Sequence, residues 1–215
     1  MQPVALITAK VAAALDSATY TDAIVHLTNI QPGIRFESWT DLKTSHVRYV
    51  GWQTGDGQQA HYAGLSTRNG GGQVLDVDYI ARTWARYTTA PGPAIQTGQR
   101  GIGLKDGTLP ALDTPADVQA ALRHNTVTLA GRQNLDGRTV ERLTCSAVSD
   151  GQTTTMTVFV DAKTYLPVQV KLVDEERQSQ SSATVTMSWL PRTTTNLSLL
   201  TLTPPRGFRH IPGPR

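Results

Sequence analysis

Alternation dominates this chain. From about residue 20 onward, apolar and polar positions take turns in run after run, the period-2 signature of half-buried β-strands. A first series of runs covers residues 20–30, 34–42, 45–54, 58–68 and 74–88, the last long enough for two strands or one bent strand. A second series covers 126–133, 138–148, 152–160, 165–173 and 182–190, with the polar stretch 174–181 before its last member. The breaks between runs carry Gly, Pro, Asn or Asp, which suit turns for steric and hydrogen-bonding reasons. Asp136-Gly137 and Asp150-Gly151 sit between alternating runs and signal hairpins. Strands joined so closely must be antiparallel.

Two segments follow a helical period instead. In residues 3–17, Pro3 suits the first turn, and Val4, Ile7, Val11 and Leu15 recur on one face before Asp16-Ser17 ends the pattern. In residues 114–124, Thr114 reads as an N-cap, Pro115 takes the first helical position, and Asp117 follows three residues after the cap. Val118, Ala121 and Leu122 make the apolar side of that short helix. Residues 90–113, broken by Pro and Gly, predict a long connection. Residues 203–215 contain four prolines and predict an extended or frayed end.

The alternation also assigns faces. Val168, Val170 and Leu172 are expected to point one way, with Gln169 and Lys171 opposite. Val185, Met187 and Trp189 alternate with Thr184, Thr186 and Ser188. One face is thus apolar and the other wet. Strands of about 8–11 residues exceed the usual ~5–6, and a sheet of that size curls, splits or closes. The two helices span only about 21 and 13 Å at ~1.5 Å per residue. Either the 90–113 connection and the tail help to cover the apolar face, or a cavity remains. An apolar cavity is the default place for a ligand.

Composition narrows the function classes. The 215 residues are 39% hydrophobic and 17% charged, with Ser, Thr and Gln filling the balance, a pattern common in secreted and β-rich proteins. Twenty Lys and Arg stand against 17 Asp and Glu, spread without a basic cluster, which argues against nucleic-acid binding. The single cysteine, Cys145, excludes an intrachain disulfide and a Cys-based metal site, and it reads as a small strand hydrophobe. Lys10 interrupts the apolar start and no basic n-region precedes it, so residues 1–10 do not read as a signal peptide.

Chemistry-bearing motifs are weak. Gly98-Gln99-Arg100-Gly101-Ile102-Gly103 lacks the Gly-Lys-Ser/Thr ending of a phosphate loop. His26, His46, His61, His124 and His210 show no paired metal-ligand spacing. No serine lies in G-x-S-x-G, and Asp174-Glu175-Glu176 reads as a solvated hairpin end. These observations predict no enzyme, no metal and no cofactor. Trp39, Trp52, Trp84 and Trp189 all fall in β-runs, where sheet packing is the plain reading and cavity lining the sharper one. Trp189 leads because Val185 and Met187 share its face, with Trp39 and Trp52 behind it. The candidate cavity wall is therefore Val168, Val170, Leu172, Val185, Met187 and Trp189, with Trp39 and Trp52 added.

Three segments carry a family resemblance. Residues 158–170, V-F-V-D-A-K-T-Y-L-P-V-Q-V, resemble the V-D-x-x-T-x-L-P-V-x-V hairpin of actinobacterial members of the LolA/LolB superfamily of lipoprotein carriers and localisation factors. Residues 74–84 and 196–208 are similar to segments of the same group, whose relatives include LppX-type lipoproteins and the sensor domains of RseB/MucB-type sigma-factor regulators. The resemblance covers most of the chain. It implies a single α+β domain over 1–215: a large curved antiparallel sheet forming an unclosed half-barrel, with the N-terminal and mid-chain helices over its concave face. It implies work outside the cytoplasm, in the cell envelope or secreted, with a leader or membrane anchor missing from this chain. The expected partner is a lipid, a lipoprotein acyl chain or another hydrophobic ligand; the alternative is a membrane-linked regulatory protein recognised by a module with a filled core.

Overall fold

The computed structural model describes residues 3–17, 22–31, 33–53, 60–67, 72–90, 118–119, 122–123, 126–149, 152–176 and 179–213. Helix α1 (Val4–Asp16) buries Ile7 and Val11, the middle of the stripe that its sequence sets out. Six strands follow: β1 (Ala23–Gln31), β2 (Ile34–Asp41), β3 (His46–Gln53), β4 (Tyr62–Thr67), β5 (Gly72–Asp78) and β6 (Thr83–Thr89). The 74–88 run is thus two strands. Its turn is set by Asp78, whose Oδ1 accepts from the backbone N–H groups of Ile80 at 2.9 Å and Ala81 at 2.7 Å. Val118, Gln119, Leu122 and Arg123 are helical, as expected of the mid-chain helix. The rest of that helix, the 91–113 connection and the glycine-rich 98–103 segment lie outside the described residues.

The second series is β7 (Thr128–Leu135), β8 (Arg138–Ser149), β9 (Gln152–Asp161), β10 (Pro167–Glu176) and β11 (Ser179–Pro191), then helical turn α2 (Thr194–Ser198) and the short β12 (Arg209–His210). Strands β10 and β11 run into the polar 174–181 stretch expected to be a turn, because antiparallel pairing from Gln169↔Thr186 to Glu176↔Ser179 satisfies their backbone groups. The twelve strands make one sheet, ordered β12-β6-β5-β4-β3-β2-β1-β11-β10-β9-β8-β7. It is mostly antiparallel and not closed; β12 joins β6 in parallel.

Two compact units divide the chain. The first comprises Met1–Thr21 and Gln99–Met187, the second Asp22–Gly98 and Ser188–Arg215. In the first, Asp136 and Gly137 both take positive φ, +49° and +80°, in the tight β7–β8 turn that Asp-Gly favours. Asp161 Oδ1 caps the β9–β10 turn by accepting from the N–H groups of Lys163 at 2.8 Å and Thr164 at 2.9 Å. One face then stacks aliphatic pairs across four strands: Leu143↔Val158, Cys145↔Met156, Val158↔Val170, Met156↔Leu172 and Val170↔Val185. All of these residues are buried. Lys10 of α1 donates to the Tyr165 hydroxyl at 2.9 Å, and Gln119 donates to the Ala12 carbonyl at 3.4 Å. These contacts dock the helical segments to one another and to the β9–β10 turn.

The alternation expected through Val168 breaks in the structure. The register steps from Pro167↔Val160 to Gln169↔Phe159, so Val168 is an inserted residue. It packs with Val140, Phe159 and Leu135 rather than in the Val170, Val158 and Val185 row. Bulges re-aim side chains in this way, and period-2 counting cannot register one.

In the second unit, Asp41 is almost wholly buried and receives Arg192 on both oxygens at 3.1 Å. Arg48 Nη1 donates to the Leu199 carbonyl at 3.0 Å. The proline-rich tail is extended, as expected, and described through residue 213. Arg209 N–H donates to the Arg82 carbonyl at 3.0 Å and Ile211 N–H to the Trp84 carbonyl at 2.9 Å, so the tail is strapped along β6.

Candidate functional site

The site begins with two short words in the sequence, Tyr49-Val50-Gly51 on β3 and Tyr62-Ala63-Gly64 on β4. The antiparallel register sets them against each other, Tyr49 opposite Gly64 and Gly51 opposite Tyr62. Each ring then lies over the facing glycine. A Cβ on Gly64 would fall 2.2 Å from Tyr49 Cζ, and one on Gly51 2.2 Å from Tyr62 Cζ. Neither glycine is required for its φ; both are required for space. The ring centroids are 6.3 Å apart and tilted by 56°, with Phe36 continuing the aromatic row 6.2 Å from Tyr49.

Asp76 on β5 pairs with Gly64 and so lies beside the Tyr49 ring. The Tyr49 hydroxyl donates to Asp76 Oδ1 and the Tyr87 hydroxyl to Oδ2, each at 2.5 Å. Burial, followed by the charge of Asp76 and the bond to it, pushes the Tyr49 phenol far above its ordinary pKa. Burial, then the bond to Asp76, raises Tyr87 to about 12. Burial alone raises Tyr62. All three phenols therefore stay protonated at neutral pH.

These side chains border a cleft of about 360 Å³. Tyr49 and Tyr62 are its aromatic part, Ala85 and Ile211 its apolar part, and Asp76, Asp78 and Thr83 its polar part, while Ala63, Val77 and Trp84, at the alternate positions of the same strands, border it with their backbone and carry their side chains on the other sheet face. Ile211 comes from the tail. The same strap brings Gly213 so close to Tyr87 that a Cβ there would lie 2.5 Å from Tyr87 Cβ. His210 packs its ring 4.4 Å from that of Trp84.

The residues singled out in the sequence fall elsewhere. Val170, Leu172, Val185 and Met187 are 0–5% exposed in the first unit, and Val168 sits in the cluster with Val140 and Phe159. Trp189 is half-buried at the end of β11. Trp39 is half-buried, stacked on His26 at 4.6 Å, with the Arg48 guanidinium 5.0 Å from its ring. Trp52 is half-buried with Arg35 at 5.2 Å. Trp84, which sequence reasoning left out of the cavity wall, packs on His210 on the sheet face away from the Tyr49 row. Two Tyr-x-Gly words in neighbouring β-runs were the available signal for the cleft, since an aromatic across from a strand glycine is a known sheet device.

No protein-family model matches the chain, and no curated protein matches it in sequence. Solved structures do match in fold. The lipoprotein LppX of Mycobacterium tuberculosis is 13% identical with a TM-score of 0.51, over 89% of this chain and 99% of that one. LprF of Mycobacterium bovis is 13% identical with a TM-score of 0.50, over 96% of this chain and 99% of that one. This chain has the fold of LppX and LprF.

Proposed function

We propose that this is a non-catalytic binding protein that works outside the cytoplasm and carries or senses a lipid, a lipoprotein acyl chain or another hydrophobic ligand. The observation that carries this reading is the cleft in the second unit. Its volume of about 360 Å³ falls in the ~300–1,000 Å³ range of small-molecule sites. Its walls combine aromatic rings and aliphatic side chains with a few fixed polar groups, the usual make-up of such sites. The tyrosines hold their protons against the Asp76 carboxylate, which suits them to fixed recognition rather than proton transfer at neutral pH. The shared fold with LppX, a lipoprotein, supports a place in the cell envelope.

The burial of Val170, Leu172, Val185 and Met187 in the first unit supports a second reading, a protein-recognising module with a filled core. Native mass spectrometry of gently purified protein, before and after organic extraction, tests the ligand reading. A bound lipid mass that organic extraction removes is the expected result, and absence of any bound mass before extraction overturns the ligand reading.

A further inference from the structure

The exposed apolar side chains of the second unit gather at one end of its strands. A cross-strand row of Phe36, Gly51, Tyr62, Asp78, Thr83 and Arg209 runs from β2 to β6 and onto β12. Ile34 lies two residues beyond Phe36, and Ile80 two residues beyond Asp78 in the same direction. Ile30 pairs with Arg35 at this end as well. Their exposures are 54% for Ile30, 44% for Ile34 and 62% for Ile80. Among the described residues the other exposed large apolar side chain is Leu6, in the first unit. The turns hold these tips in place. Gln31 pairs with Ile34, and Gly33 supplies the positive φ, +83°, of that tight connection. Asp78 takes the N–H groups of Ile80 and Ala81 and so fixes the β5–β6 turn. The opposite end differs: its β2–β3 turn presents Lys43, ion-paired with Asp22 at 2.9 Å, and no exposed large apolar residue. Single apolar residues scattered on a surface need no explanation, but a gathering at one end marks a contact.

Charge at the same end is positive. Arg35 is matched by the buried Glu37. Arg82, Arg206 and Arg209 are exposed, and among the described residues there Asp78 is the one exposed acid. We propose that this end of the second unit docks on a bilayer containing anionic lipid. Apolar tips on separate turns do not make the continuous face of ~800 Å² that a stable protein interface needs on each side. A bilayer takes such tips one by one into the acyl boundary, while arginines stay at the head groups and are attracted by anionic lipid. Tyr62, Asp78 and Thr83 of the row also line the cleft, so docking brings the cleft to the lipid. Docking requires no bound ligand, so the inference stands apart from the ligand reading.

Flotation of the full chain with vesicles tests it. Mixed vesicles of phosphatidylglycerol and phosphatidylcholine are expected to carry the protein, and added salt to release it. Vesicles of phosphatidylcholine alone are expected to bind about tenfold less. Ile34→Ser together with Ile80→Ser is expected to lower binding to the mixed vesicles about tenfold, because two aliphatic side chains no longer enter the lipid. Leu6→Ser is expected to leave binding unchanged. All three positions are exposed. If a variant fails to fold, the lipid and salt comparison on the unaltered protein decides. Absence of binding to the mixed vesicles, equal binding to both kinds, or binding unmoved by the double change overturns the inference. Self-association that the double change removes, without vesicle binding by the unaltered protein, also overturns it and assigns the tips to a protein contact. Native spectra without lipid, alongside binding to the mixed vesicles, overturn the ligand reading alone.

Discussion

The two units use one sheet design for opposite ends. In the first, the inward rows are aliphatic and matched pair by pair, so that Met156, Val158, Leu143 and Val170 are wholly buried. In the second, a comparable row reads Ser38, Tyr49, Gly64, Asp76 and Ala85 across five strands. The matched aliphatic rows keep their side chains out of solvent. Rings set over glycines, with a carboxylate between two phenols, cannot fill space in that way, and a cleft remains. The comparison teaches that glycine and tyrosine placement, more than strand number, decides where this sheet can admit a guest.

The sharpest break in the comparison is a large-to-small change in the first unit. Met156→Ala is expected to cost about 2–5 kcal/mol, since it removes a wholly buried side chain from a matched row. Urea unfolding checks it, and the fluorescence of Trp84 in the folded protein is expected to stay as it is. The counterpart in the second unit is a small-to-large change. Gly64→Ala places a methyl against the Tyr49 ring and is expected to cost about 1–3 kcal/mol. Unlike Met156→Ala, it also moves the ring that lines the cleft, so ligand-induced fluorescence changes are expected to fall with it.

Each unit also buries a carboxylate against an arginine, Glu141 with Arg132 in the first and Asp41 with Arg192 in the second. Burial works against ionisation of Asp41, but hydrogen bonds from Arg192, Thr44 and the Lys43 N–H outweigh it and hold its pKa below the usual carboxylate value. A lowered folded pKa contributes stability at pH above the ordinary carboxyl value, lost as pH falls through the lowered one. Acid titration of the folded protein, with Arg192→Ala beside it, is expected to show this: the variant loses about 1–3 kcal/mol near neutral pH and has a shallower acid limb. The smallest effect lies at the alkaline end. Tyr87 is raised to about 12 and Tyr49 higher still, so their contribution is complete below pH ~10 and is lost as pH rises through the folded values. Tyrosinate absorbance is expected to show two phenols ionising late, and Asp76→Asn to bring both toward the ordinary value.

Much of the fold was legible because its signals are local. The α1 stripe, the Asp136-Gly137 turn and the Asp161 cap each lie within a few residues of sequence, and period-2 alternation marks strands one at a time. What was missed depends on neighbours that are distant in the chain. Val168 left its expected row because β9 and β10 pair with one residue unmatched. The tail was expected to be extended or frayed on proline content; it became a wall because the N–H groups of Arg209 and Ile211 found the carbonyls of Arg82, just before β6, and Trp84, on it. The packing of Trp84 on His210 likewise depends on a residue more than a hundred positions away.

The sequence by itself determined the elements: a helix, long antiparallel strands, their turns and an apolar face, since backbone geometry and side-chain period are properties of short stretches. Only the tertiary structure decided which side chains meet across the strands. That choice rests on register. Tyr49 can lie over Gly64 and reach Asp76 only when β3, β4 and β5 align to the residue, and a slip of one would turn each of these side chains to the other face.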